Sequence, residues 1–328
     1  MNRKLLVIIV SAVSACVVLC AVVGLAVALF VIVPRAQAKQ LMAYTFAKGD
    51  IISQQFVMEQ KITMTVLGQE QTVDQTIGMG YDLVVEEVLP DNSARLKCTY
   101  TWMKLKQAGA SGNLDYETTT PVQTLDPTDE DFMGKVFGAM IGEGFSIVVT
   151  TDGRVIDLQG WDEFITRYME KFSFNEAQKA QFLESMQGQL DKESMLETMG
   201  RSIYPYSQQP VKVGDTWKSS QSLSSTYAVI VDSTYKLVKR DADSSTIEVS
   251  STVKKNPDGK PKPSGGSTVL YELEGDQAGK LVVDSSGWAV DGEIEQHLTG
   301  TVIITTNGKT MEIPMSLESV ITLKTEHK

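Results

Sequence analysis

The chain is poor in the side chains that most chemistry requires. Among 328 residues there are two histidines and three cysteines. His327 stands in the terminal "EHK". His297 falls in "DGEIEQHLTGTVII", where Ile294, Leu298, Val302 and Ile304 take one strand face and Glu293, Glu295 and His297 the other. A solvent-facing histidine beside carboxylates is the simpler reading than a ligand or general base. Cys16 and Cys20 lie inside an apolar run, which leaves Cys98 alone after it, in "RLKCTYTW". There Leu96, Cys98, Tyr100 and Trp102 alternate onto one face, so Cys98 is expected in the core rather than as a reactive thiol. So few His and Cys exclude a His- or Cys-based zinc site. No HExxH, P-loop, GxGxxG after a strand or GxSxG elbow appears. The adjacent acids Glu86 and Glu87 point to opposite faces of a strand and do not form a catalytic pair. No catalytic, cofactor-binding or metal-binding residue is assigned, no cofactor is expected, and the chain is not expected to be an enzyme.

Positive charge is also scarce. The net charge is −11, with 30 Lys and Arg against 41 Asp and Glu. Residues 1–40 hold four of the basic residues and no acid, so the remainder stands at −15. Such a surface repels phosphate backbones, and no nucleic-acid partner is expected.

What the first forty residues do have is a long apolar run. Leu5 to Val33 carries no charge, with Arg3 and Lys4 before it and Arg35 and Lys39 after. As a helix it measures roughly 43 Å, more than the ~30 Å hydrocarbon core, and exceeds the stretch of about 7–15 residues of a cleaved signal. The reading is a transmembrane signal-anchor over 1–40, which makes the membrane a partner. Residues 41–328 would then be an exported, extracytoplasmic domain, since long domains translocate largely regardless of nearby charge. Two alternatives stay open: "VSAC" (Val13 to Cys16) resembles a lipobox ending at Cys16, and "AQA" (Ala36 to Ala38) could be a cleavage site. All three send the rest of the chain out of the cytoplasm.

Beyond Lys39 the dominant period is two. Ile52, Phe56, Met58, Ile62, Met64 and Val66 share a face, interrupted by Gln54 and Gln60. Met311, Ile313, Met315, Leu317, Ile321 and Leu323 do the same near the C-terminus. These are antiparallel strands with one wet face, far longer than the usual 5–6 residues. Strands of such length cannot lie flat, because sheets twist. The fold class is α+β: a long, curved, half-barrel-like antiparallel sheet. Pro314 suggests an edge or a bulge on the last strand.

The middle changes period. "WDEFITRYMEKF" puts Trp161, Phe164, Ile165, Tyr168, Met169 and Phe172 on one helical face. Asn175 and Gln178 form a capping box for a second helix carrying Phe182, Leu183, Met186 and Leu190. A third follows Asp191, with Met195, Leu196 and Met199 apolar and an end near Gly200. An earlier helix is expected from Thr128 to Met140, its "TDED" an acidic first turn and not a calcium loop. Methionine concentrates in these helices. Packing helices account for that; a lid over an apolar ligand is the sharper alternative, lined by Met133, Met140, Phe164, Met169, Met186, Met195 and Met199.

Landmarks recur in order. "KGD" (48–50) answers "VGD" (213–215), "YDLVVEEV" answers "YKLVKRDA", and "VVTTDGRVID" answers "VVDSSGWAVD". The chain therefore divides into a β half over 41–160, a helical block over 161–204 and a second β half over 205–328. "NPDGKPKPSGGS" (Asn256 to Ser267) is expected as a mobile loop.

Together, "YTFAKGD", "GYDLVVEEVLPDNSARLKCTYTWMKLK", "GFSIVVTTDGRVIDLQG", "YPYSQQPVKVGDTW" and "GKLVVDSSGWAVDGEIEQ" resemble a family of exported bacterial proteins known as a domain of unknown function. The resemblance spans most of 44–325 and rests on turns and strand starts, so it implies a fold and no activity. Many members look like lipoproteins or secreted proteins, and the long anchor departs from that pattern. The architecture is more distantly similar to half-barrel carriers of lipoproteins and lipids in the bacterial envelope. Two functions are expected: a membrane-anchored structural or protein-interaction module with an envelope protein as partner, or a binder of a lipid or other apolar ligand.

Overall fold

A computed structural model describes residues 38–328 apart from 110–111, 127, 130, 180–181, 183–191, 224–227 and 265. The expected anchor over 1–37 lies outside them. Among the described residues no helix is long and apolar enough to cross a membrane.

Among the described residues the period-two runs fold as thirteen antiparallel strands. The first half supplies β1 (Ile51–Val66), β2 (Gln69–Val88), β3 (Ala94–Gly109), β4 (Leu114–Thr118), β5 (Gly144–Val149) and β6 (Val155–Gln159). The second supplies β7 (Thr216–Leu223), β8 (Val229–Arg240), β9 (Ser244–Lys255), β10 (Lys262–Ser264), β11 (Ser267–Asp284), β12 (Ala289–Thr306) and β13 (Lys309–His327). They join in one open sheet, in the order β6-β5-β3-β2-β1-β13-β12-β11-β9-β8-β7, with β4 beside β3 and β10 beside β11. The segment expected as a mobile loop thus contributes a short strand, β10.

The order repeats. The run β6-β5-β3-β2-β1 is matched by β12-β11-β9-β8-β7, and β13 stands between them, paired with β1 and β12. Equivalent turns carry equivalent hydrogen bonds. Gly49 N donates to Val85 O (2.9 Å) and Val85 N to Asp50 O (2.9 Å); Gly214 N donates to Leu237 O (2.7 Å) and Leu237 N to Asp215 O (3.1 Å). Val85 therefore corresponds to Leu237. The Tyr81–Tyr235 landmark was two residues out of register, an error that keeps every side chain on its face. Pro314 also needs revising, because β13 is central and not an edge. The proline sits one residue beyond the last β1–β13 pair, Met64 with Met315, where the strand has lost one neighbour.

One sheet face is apolar, and it divides into two cores. Near the hairpin tips, Leu83, Leu96, Ile147, Leu237, Ile247, Leu281 and Trp288 belong to one cluster drawn from both halves. At the far end Leu223, Val253, Leu273, Leu298 and Leu317 form another. Between them runs a polar belt. Register places Gln107, Gln75, Gln60, Ser319, Gln296, Gln277, Ser251, Ser233 and Ser219 side by side on nine consecutive strands. The side chains bond along the belt: Gln60 Nε2 to Gln75 Oε1, Gln75 Nε2 to Gln107 Oε1 at 3.2 Å, Ser319 Oγ to Gln296 Oε1 at 3.4 Å and Ser233 with Ser251 at 2.8 Å. Glycines lie beside it. A Cβ on Gly279 would lie 2.1 Å from Glu293 O, and one on Gly300 1.9 Å from Glu272 O, so β11 and β12 approach closely there.

Three helices are described in full: α1 (Phe132–Gly138), α2 (Trp161–Glu170) and α3 (Lys192–Ser202). α1 is shorter than expected because Asp126 takes Thr128 N and Oγ1 in a local turn, while Asp131 caps nothing with its side chain. Gly134 and Gly138 let α1 lie on Tyr116, where a Cβ would come within 2.3 Å of that ring or its hydroxyl. α2 sets Trp161 and Phe164 edge-to-face on Phe145 of β5, with centroids at 5.0 and 5.6 Å. The Asn175–Gln178 capping box is present, each backbone N–H donating to the other's side chain at 2.9 Å. Residues 41–328 form one compact unit.

Candidate functional site

The two repeated hairpins meet at one strip of chain. Gly153 (φ +85°) and Gly287 (φ +90°) turn their tips in the left-handed region. Both tips press on Tyr44 and its neighbours: a Cβ on Gly153 would meet Tyr204 O at 2.5 Å, and one on Gly287 would meet Ala43 O at 2.5 Å. Tyr44 N donates to Thr151 O (2.8 Å) and Thr45 N to Ser286 O (2.9 Å). The linker into the second half closes the bundle. Tyr206 N donates to Asp152 O (3.0 Å), Tyr206 Oη to Gly287 O (2.5 Å) and Tyr44 Oη to Tyr204 O (3.1 Å). Burial pushes the Tyr44, Tyr204 and Tyr206 phenols well up, and those of Tyr44 and Tyr206 donate in their neutral form.

This junction holds the two outermost strands of the path, β6 and β7, on opposite sides of one groove of about 710 Å³. It is lined by Arg154, Val155 and Ile156 at the start of β6, Gly200 of α3, Pro205 to Gln208 of the linker and Trp217 to Gln221 of β7. Trp217 Nε1 donates to Pro205 O (3.0 Å), fixing β7 to the linker. Burial opposes ionisation of Asp152. Hydrogen bonds from Thr150, Gln208 (3.2 Å) and Arg154 (3.0 Å) outweigh it and hold the carboxyl below its usual range. The groove is lined by polar and apolar groups alike, with Ile156 exposed beside Arg154.

A second concavity, of about 760 Å³, lies on the wet face. Lys61 stands opposite both Asp74 and Glu318, and His297 opposite Glu318. Lys104 and Lys106 at its border pair with Glu117 (2.9 Å) and Asp115 (3.4 Å). His297 is exposed, as its strand face implied. Among the described residues no group of three or more His, Cys, Asp or Glu could hold a metal ion.

The methionine-rich set is placed as packing. Phe164 and Met199 are buried in the first core, with Met140 and Met195 against it; Met169 is buried beside α1 with Leu125 and Phe172. None of these lines either concavity. Met186 and the Met133 side chain lie outside the described residues. Cys98 is fully buried and its thiol pushed up by desolvation. Sequence reasoning missed Arg154, Gln208 and Lys218; the polar runs "SQQP" and "KSSQS" were the available signal, since they name wet strand and linker but not that the two edges meet.

The chain belongs to the family of unknown function DUF6263, whose pattern matches residues 91–289. Comparison with curated proteins finds no match. Among solved structures, one of lipid–protein interactions in lipovitellin is similar at 12% identity and a TM-score of 0.44, covering 86% of this chain. This chain spans 25% of that one. DynF of the dynemicin pathway of Micromonospora chersina (6% identity, TM-score 0.22, 88% of this chain and 86% of that) and OpdQ of Pseudomonas aeruginosa (6%, 0.21, 86% and 100%) are weaker still.

Proposed function

We propose that this family member is a membrane-anchored, extracytoplasmic structural and protein-interaction module, tethered by an N-terminal helix over 1–40 and derived from two related β halves. One observation carries the interaction role: the sheet ends in two strands, β6 and β7, that both line one groove. Sheet edges left open in this way are templates for another chain. The anchor rests on the uncharged run from Leu5 to Val33. The mass of the protein isolated from its native membrane tests it. A start at Met1 or Asn2 is expected; a diacylated Cys16 or a start at Lys39 would replace the anchor with a lipid tether or secretion.

The second reading, an apolar ligand on the inner face, is favoured by Phe56, Met58, Ile77, Met79 and Ile294, which remain half-buried beside the polar belt. Mass spectrometry of a lipid extract from purified 40–328 tests that reading. A stoichiometric lipid supports it, and a clean extract ends it.

A further inference from the structure

We infer that the groove between β6 and β7 takes a single extended polypeptide segment of a partner, added as a strand antiparallel to both edges. The inference rests on the interaction-module reading above and names its mode. Among the described residues β6 pairs only with β5 and β7 only with β8. α3 lies against β6, with Lys192 Nζ 3.3 Å from Asp157, so the free side of β6 faces the groove at Val155 and Ile156, while β7 faces it from Trp217 to Gln221.

The strand count selects the occupant. Eleven strands alternate in direction along the path, so its two ends, β6 and β7, run the same way. Joined directly they would make one parallel pair in an otherwise antiparallel sheet. One inserted strand of opposite direction restores alternation on both sides, as closure of an antiparallel barrel by an even number of strands requires. A second copy of this chain does not do this: edge-to-edge pairing of two β7 strands leaves β6 unserved. The size agrees. A five-residue strand takes up about 17 by 4.8 by 10 Å, roughly 800 Å³, against a groove of about 710 Å³. The junction already binds backbone in this manner, with Tyr206 N on Asp152 O and Tyr44 N on Thr151 O.

The walls define the chemistry. β7 reads Thr-Trp-Lys-Ser-Ser-Gln-Ser-Leu, with no proline and one cation to discourage pairing. Lys218 makes no ion pair among the described residues, and Arg154 is occupied by Asp152. The segment that fits is free of proline, extended over about five to eight residues (the lengths of β6 and β7), largely uncharged, and bound mainly through its main chain.

The test uses the full chain in detergent and a peptide of about eight residues selected against it from a displayed random library, then resynthesised with alternate N-methylated amides. Binding is expected to slow amide exchange at both 155–159 and 216–223, and N-methylation to weaken it about tenfold or more. Protection at one edge only, protection elsewhere, indifference to N-methylation or failure to select any binder overturns strand addition. Protection of β7 that grows with protein concentration in the absence of peptide assigns the edge to a second copy and also overturns it. A photo-crosslinker at Lys218 in the native membrane separates the two levels. Capture of a protein there while the peptide result fails leaves an interaction module with another mode; failure of both removes the module as well.

Discussion

At the scale of the residue, the twin turns show how much a single position decides. Gly153 and Gly287 do two things at once: they adopt a positive φ, and they leave space for a backbone carbonyl of another segment. Gly308 also has a positive φ (+73°), but nothing lies within 4 Å of a Cβ placed there. Gly308→Ala is therefore expected to lower stability by about 1 kcal/mol, the conformational cost alone. Gly287→Ala adds displacement of the Ala43 carbonyl, and about 3 kcal/mol or more is expected. Urea midpoints of the two variants check the contrast; equal losses would mean that the junction with Tyr44 yields without cost. The turns themselves were legible in sequence, because Asp-Gly and Ser-Gly between strand-like runs name a hairpin. What they press against was not. The nearest partners of Gly287 lie at Ala43 and Tyr44, more than two hundred residues away, and no local pattern encodes that pairing.

At the scale of the element, the polar belt is the feature a strand-by-strand reading sees without understanding. Gln60 looks like an interruption in an apolar face of β1, and its companions Gln75, Gln107, Gln277 and Gln296 are scattered over four other strands. Only register, set by the hairpins and by β13, brings them level. Once level, Gln60 bonds to Gln75 and Gln75 to Gln107, which makes these three a network that tolerates complete replacement better than partial loss. Gln75 accepts from Gln60 and donates to Gln107. Gln75→Leu takes the acceptor from Gln60 Nε2 and one donor from Gln107 Oε1, and the unmet Gln60 amide at the inner face costs about 1–3 kcal/mol. Replacing Gln60, Gln75 and Gln107 together by Leu removes donor and acceptor alike, and the triple variant is expected to be more stable than the single one. Denaturant melts settle the order. Losses that simply add would show three independent side chains and no network. The same logic explains why α1 came out shorter than its pattern: Asp126 prefers its own backbone turn to the helix, a local competition that periodicity does not register.

At the scale of the whole molecule, the question is whether two similar halves behave as two bodies. Their existence could be read from recurring landmarks, but their joining could not, because β13 has no counterpart in the first half and sits between the two. The structure ties the halves in three ways. β13 pairs with β1 on one side and β12 on the other. The first core draws Leu96 and Ile147 from one half and Leu237 and Leu281 from the other. Tyr44 touches both hairpin tips and packs on Tyr206 and Trp288, with centroids at 5.1 and 4.9 Å. Shared burial of this kind makes partial unfolding expensive, since opening either half exposes the apolar surface of the other. Residues 41–328 are therefore expected to unfold in one step. Cys98, the sole cysteine of that region and fully buried, reports the first half through alkylation. Amide exchange in β9 and β11 reports the second. The two curves should coincide in urea. Tyr44→Ala, which removes a buried ring from the junction, should shift both midpoints together by a loss of about 3 kcal/mol. Separation of the curves, in the parent or in the variant, would show that the halves are independent and that the groove between β6 and β7 has no rigid frame to hold it open.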